Sequence, residues 1–403
     1  MAEAAAHLVD NILPMVPYRQ FVITFPHPMR YWINTNKKLF SAVHQVIVQK
    51  IGDFYSQRTA VPDHLEPKAG IISFTQRWGS ALNLNPHLHI ITTDGVHYRP
   101  GDPLFRKAKS ITDRQLGSLL ASIVEGILNL LRKNGYLTQE GELSEPPLQD
   151  SLFAEYESID MATKASLAGR IAFGLNAGKR VTRIGSGFGY GEERPMFKGK
   201  LCCTMNGFSL HGARAINTLN RSGLEQLISY IARGPFSNDR ITLCPGERVK
   251  LALKRPFSDG TTHLLMSYGE FIEKLTALIP PPRSHLVRWS GSLAPNSKYR
   301  KKIVLNPCEK KGFDFEGKKG KKNYRWAELL ARVFGIDVLL CPCGGRYQPK
   351  GAVKKACEIR RYLIHVGLDP LPPARGPPSD GVYQLDFSDS RDNEDLPLIV
   401  IEE

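Results

Sequence analysis

At 403 residues, 42% of them hydrophobic, the chain is long enough for a large core and, as a prior, two or three domains. Its formal net charge of +15 fits a polyanionic partner, either nucleic acid or an anionic membrane surface. No apolar run approaches a membrane span, and no charged-then-apolar leader opens the chain, so the membrane option falls and a cytosolic protein is expected.

Residues 1–16 read as a helix stopped by Pro14 and Pro17. Arg19-Gln20-Phe21-Val22-Ile23-Thr24-Phe25 reads as a strand cut off by Pro26 and Pro28. Residues 36–58 place Leu39, Val43, Val46, Ile47 and Ile51 at helical spacing. The 70–95 segment has strand character and carries two histidines. An amphipathic helix is expected at 111–136, a polar loop at 138–150 and an irregular basic loop at 180–200. A strand at 201–210 leads into a helix at 222–233, stopped by Gly234-Pro235. Short strands and one helix near 268–279 fill 241–305, and two helices at 326–345 and 351–367 flank a cysteine turn. Between Lys298 and Arg325 there are 11 Lys and Arg against 3 acids. Such a run reads as a solvated, flexible linker, and such linkers also track phosphates.

Two features carry chemistry. In Asn85-Pro86-His87-Leu88-His89-Ile90-Ile91, the histidines are two apart. On a strand they leave the same face, as two imidazole ligands of one metal should, while Leu88 and Ile90 face the core. In Leu224-Glu225-Gln226-Leu227-Ile228-Ser229-Tyr230-Ile231-Ala232-Arg233, the residues Leu224, Leu227, Ile228 and Ile231 form one apolar stripe. Tyr230 lies off that stripe, sharing its side with Gln226 and Arg233, as an exposed nucleophile would. A ring packed on a neighbour with a wet hydroxyl fits the same pattern. The seven cysteines are odd in number and irregularly spaced, which argues for reduced thiols. Cys341-Pro342-Cys343-Gly344-Gly345 is like a zinc knuckle with one residue missing, and no second pair completes four ligands.

The segments Thr75-Gln76-Arg77-Trp78-Gly79, Asn85-Pro86-His87-Leu88-His89, Gly207-Phe208-Ser209-Leu210-His211, Tyr230-Ile231-Ala232-Arg233, Lys254-Arg255-Pro256-Phe257-Ser258-Asp259-Gly260 and Leu293-Ala294-Pro295-Asn296 follow in a familiar order. The chain resembles the transposases of the insertion sequence 91 family, which are rolling-circle enzymes of the HUH endonuclease superfamily. The resemblance runs from about residue 2 to residue 378. It implies an α+β fold: a central antiparallel sheet flanked by helices, with the histidines on a middle strand and the tyrosine on a helix packed across it. It implies single-stranded DNA at transposon ends and target as partner, a bacterial, nucleoid-associated setting and a divalent ion, Mg²⁺ or Mn²⁺. His87 and His89 match the family's metal pair and Tyr230 its nucleophile. Gln76 is the expected third ligand, with Gln226 and His211 as competitors. Asp94 is a candidate to orient an imidazole, although Asp94-Gly95 also reads simply as a turn. Arg233, Lys254, Arg255, Lys318, Lys319, Lys321 and Lys322 are the expected DNA contacts.

The organisation implied is an N-terminal helix at 1–16, a nuclease domain at 17–240, a family-specific α+β extension at 241–305, a basic linker and helical region at 306–368, and a disordered Pro-rich, acidic tail at 369–403. The chain departs from the family in three places. A tyrosine four residues from Tyr230 is replaced by Gln226 or Gly234, which matches the single-tyrosine branch. The cysteine turn is short. The cysteine-rich module expected upstream of Met1 is not part of the sequence, so a truncated copy that only binds DNA is one alternative. A plasmid relaxase or replication initiator of the same superfamily is another.

Overall fold

The computed structural model describes residues 2–138, 142, 144, 153, 155–182, 194–254, 256–257, 259–305, 325–347, 353, 355–365 and 367. The chain divides into two compact units, Met1–Asn323 and Tyr324–Val400.

The first unit is built on an antiparallel sheet. Helix α1 (Ala2–His7) continues as a π turn and leads into strand β1 (Tyr18–Thr24). Helices α2 (His27–Thr35) and α3 (Lys37–Thr59) follow. Asn36 starts α3 by accepting from Leu39 N with its side chain. Strands β2 (Gly70–Trp78) and β3 (Leu84–Thr93) form a long hairpin, and β4 (Gly95–Tyr98) and β5 (Leu104–Lys107) a short one. Helix α4 (Asp113–Lys133) opens on a Thr112–Gln115 capping box. After α5 (Glu157–Leu167) come β6 (Met196–Gly199), β7 (Cys202–Met205), β8 (Phe208–His211) and β9 (Ala215–Ile216). Helix α6 (Arg221–Ala232) carries Tyr230. A small sheet of β10 (Ile241–Cys244), β11 (Arg248–Ala252) and β12 (His263–Ser267) precedes α7 (Tyr268–Leu278), strand β13 (Val287–Gly291) and the short α8 (Arg300–Ile303).

The main sheet has the order β13-β2-β3-β1-β8-β7-β6, with β9 also on β1. Strand β3 is therefore interior, paired on both sides with antiparallel neighbours. Its even-numbered residues Leu88 and Ile90 join Phe21, Ile23, Ile71 and Leu210 in a core covered by α3 and α4. Its odd-numbered residues face the other way, where Ile91, Ile72, Phe74 and Tyr18 meet the stripe Leu224, Leu227, Ile228 and Ile231 of α6. Burying each of those four helix side chains is worth about 1.5–3 kcal/mol. That is enough to hold a short helix flat against the sheet.

Most expected elements occur. Three differ. The expected strand at 201–210 is the hairpin β7–β8, turned at Asn206-Gly207, both with positive φ. Part of the expected basic loop pairs as β6. Two helices, α2 and α5, had no prior reading because Pro28 and a short polar stretch obscured their periodicity. In the second unit, α9 (Trp326–Phe334) ends on left-handed Gly335 well before residue 345, and α10 (Ala356–His365) is the other helix. The cysteine turn lies between them, with Cys343 Sγ 3.0 Å from Cys341 Sγ. The tail at 369–403 lies outside the described residues. Among the described residues, no helix is long and apolar enough to cross a membrane.

Candidate active site

His87 and His89 sit on the α6-facing side of β3, with ring centroids 5.1 Å apart. His87 lies opposite Gln76 on β2 and Thr24 on β1, while His89 lies opposite Phe74 and Val22. His87 Nδ1 is 2.7 Å from the Asn85 carbonyl oxygen. A carbonyl only accepts, so Nδ1 carries the proton and Nε2 keeps its lone pair. His89 Nδ1 is 2.7 Å from the Gln20 amide nitrogen, and the other end of that buried amide, Oε1, has no partner. Turning the amide over would let Nδ1–H donate to Oε1 and leave Nε2 of His89 free as well. Burial pushes the His87 imidazole down to about 4, helped by the charges of Arg30 and Lys254 and opposed by the Asn85 hydrogen bond. Burial, then His87 and Lys254, hold His89 well below the ordinary histidine range. Both rings are therefore neutral near pH 7, the form a metal requires.

Gln76 joins this pair to the tyrosine helix. Its Nε2 donates to the Ile231 carbonyl at 2.6 Å. That carbonyl is in the last turn of α6, where no helical N–H reaches it. With the nitrogen so engaged, the remaining polar atom of Gln76 is Oε1, an oxygen that could serve as a ligand beside His87. Among the described residues, no group of three His, Cys, Asp or Glu side chains is arranged to hold a metal ion. The donor set of two neutral imidazoles and one amide oxygen fits a divalent first-row ion, and fits Mg²⁺ if water fills the remaining positions. The competitors are less well placed. His211 shares the face but lies across β1, opposite Val22, one strand beyond His89. Gln226 is exposed on α6.

Tyr230 is the residue before Ile231 and is 38% exposed, whereas the stripe beside it is buried. The Arg233 guanidinium lies 4.0 Å above its ring, a cation–π contact that holds the ring in place. Lys254 is close enough to act on both histidines, and Arg233 and Arg240 act on Lys254. Desolvation of its ammonium, then those two arginines, push Lys254 down to about 8. Arg240 is anchored by its Nε on Ala252 O and its Nη2 on Ser80 O, both at 2.8 Å. Arg30 is buried, with Nε on Phe25 O at 2.7 Å. Four cations are thus linked to the site: Arg233 lies on Tyr230, Arg30 and Lys254 act on His87, and Arg240 acts on Lys254. Of these, sequence reading named Arg233 and Lys254 and missed Arg30 and Arg240. It also missed Gln20. None of the three stands in a local pattern that marks it. Arg255, Lys318, Lys319, Lys321 and Lys322 lie outside the described residues.

Asp94 does not orient an imidazole. Being even-numbered, it leaves the opposite side of the strand from His87 and His89. There its two oxygens accept from Arg19 Nε and Nη2 at 3.1 and 3.2 Å, and Oδ1 also accepts from the Tyr55 hydroxyl at 2.9 Å.

A family model, Y2_Tnp, described as "Putative transposase", matches residues 70–301. The matched span takes in β2, β3, α6 and Lys254. No curated protein and no solved structure matches the chain. Because the family model covers more than half of the 403 residues, the chain belongs to this transposase family.

Proposed function

We propose that this transposase cuts and rejoins single-stranded DNA through Tyr230, in the manner of the rolling-circle HUH enzymes of the insertion sequence 91 kind. One observation carries the reading. Gln76 lies directly opposite His87 and hydrogen-bonds the carbonyl of the residue after Tyr230. Imidazole pair and tyrosine therefore belong to one rigid assembly.

The four cations would collect a phosphodiester and offset its charge, which otherwise repels an attacking oxygen. His87, His89 and Gln76 would hold a divalent ion, which when bound polarises the scissile phosphate. The Tyr230 hydroxyl oxygen attacks phosphorus and loses its proton. The bond from phosphorus to the 3′-oxygen breaks, and that oxygen leaves as a 3′-hydroxyl after taking up a proton. The phosphorus stays on the tyrosine as a 5′-phosphotyrosine. Attack by a 3′-hydroxyl reverses the step, so the bond energy is kept for joining. Residues 17–240 would form the nuclease domain and 241–305 an extension that supplies Lys254.

The test uses single-stranded oligonucleotides labelled at either end, with Mg²⁺ or Mn²⁺. Only the fragment on the 3′ side of the cut becomes attached to protein. His87→Ala and His89→Ala each abolish cutting and leave DNA binding. Wild-type cutting by either variant defeats the assignment.

A further inference from the structure

We propose that the outer face of the β10–β12 sheet binds the backbone of duplex DNA next to the single-stranded segment held at Tyr230. This rests on the reading of the Tyr230 site as a DNA-cutting centre and extends it to the flanking DNA.

The three strands pair in the order β10-β11-β12. One face is buried: Val249, Leu251 and Met266 pack with Leu278 and Leu84. The residues between them leave the other face. They are Thr242, Arg248, Lys250, His263, Leu265 and Ser267, and all six are exposed. No described element covers them. The register places Lys250 between Thr242 and Leu265, and Arg248 between Cys244 and Ser267.

This face leads into the catalytic site. The ladder continues past β11, since Leu253 N donates to Thr262 O. Lys254 follows at a bend just past the strand, beyond the end of the row Arg248, Lys250 and Ala252. At about 3.3 Å per residue, the row from Arg248 to Ala252 is about 13 Å long. At its inner end Arg240 bonds Ala252 O and lies beside Lys254. Arg248 and Lys250 thus place cations on the face, and Lys254 and Arg240 place cations between its end and the His87–His89 pair.

The chemistry of the face selects duplex over single strand. Platforms for single strands present aromatic rings on which bases stack. None of the six outward residues is Phe, Tyr or Trp, and the one aromatic ring, the His263 imidazole, sits on the edge strand β12. Lys, Arg, Thr and Ser are backbone-contacting residues, suited to a charged, regularly spaced partner. An antiparallel sheet with exposed cations is also an element that DNA-binding proteins lay along a groove.

The test compares full-length wild type with Arg248→Glu/Lys250→Glu. Two fluorescent probes are used: a 30-nucleotide single strand, and a duplex of that length carrying a single-stranded overhang. Both changes are on exposed strand positions, so the fold is retained. At 0.1 M salt the double variant should bind the overhang duplex at least about tenfold more weakly, with a salt slope less steep by about 0.9 per lost phosphate contact. Binding to the single strand and adduct formation on it should stay within about twofold. Thr242→Lys, which adds a cation beside Lys250, should tighten duplex binding. Unchanged duplex affinity overturns the proposal, and so does an equal loss on both probes. A change in oligomeric state without a change in duplex affinity also overturns it. If wild type forms no adduct on any single strand but the duplex loss is seen, the cutting mechanism falls and the duplex surface stands.

Discussion

Gln76→Leu separates two roles that one side chain combines. Leucine keeps the apolar stem as far as Cδ and removes both polar atoms. The 2.6 Å bond to Ile231 O is lost, and a carbonyl beside a buried amide loses its partner. That costs about 1–3 kcal/mol. The helix has four buried apolar side chains on the sheet, worth about 1.5–3 kcal/mol each, so it stays docked. The expected fall in Tm is about 2–4 °C per kcal/mol, and the protein remains folded. Metal-dependent cutting should fall by at least about 100-fold, because the proposed oxygen ligand and the anchor of the tyrosine helix go together. Gln76→Glu restores an oxygen but not the donor. It should bind Mn²⁺ at least as tightly as wild type, yet form the tyrosine adduct slowly, since a carboxylate faces the Ile231 carbonyl. Titration of Mn²⁺ by calorimetry and the rate of adduct formation read the two roles independently. Cutting by Gln76→Leu at wild-type rate with unchanged metal dependence refutes the argument.

Tyr230→Phe should eliminate the covalent adduct and keep DNA binding. Stability should change by no more than about 1 kcal/mol, because a lone hydroxyl on a partly exposed ring contributes little; adduct on a denaturing gel would show another nucleophile. Asp94→Asn should destabilise the fold by about 3–5 kcal/mol in urea titration, since Arg19 is left as a buried charge without its carboxylate. Metal affinity should be unaffected, because Asp94 faces away from the histidines; an altered affinity would place it in the site after all. Burial pushes His44 and His97 down to about 4. Above about 6.5, folded and unfolded chains are both neutral there; between about 6.5 and 4 only the unfolded chain takes up protons, so stability falls as pH drops through that window. The loss at pH 5 should be on the order of 1–2 kcal/mol per histidine, and a urea midpoint equal or higher at pH 5 than at pH 7 would contradict it.

The local signals were legible without a structure. Period two on a strand puts His87 and His89 on one face, and period 3.6 on a helix puts Tyr230 off the apolar stripe; both depend only on residues within one element. The start of α3 was also legible: a helix expected from residue 36 begins at Lys37, with Asn36 as its cap. What joins the site was not. Gln76 reaches α6 through a hydrogen bond spanning 155 positions, and it faces His87 only because β2 and β3 pair in one register. A slip of one residue would send Gln76 to the α3 side. Arg30 and Arg240 approach Lys254 and the histidines from α2 and from the entrance to β10, which no sequence spacing relates. Asp94 shows the converse: its place beside the histidine run suggested a partner for an imidazole, but the parity of the strand and the long-range pairing with Arg19 gave it to the opposite core. The individual chemical groups were set by the amino-acid sequence, and their convergence by strand register and helix docking, which long-range pairing alone decides.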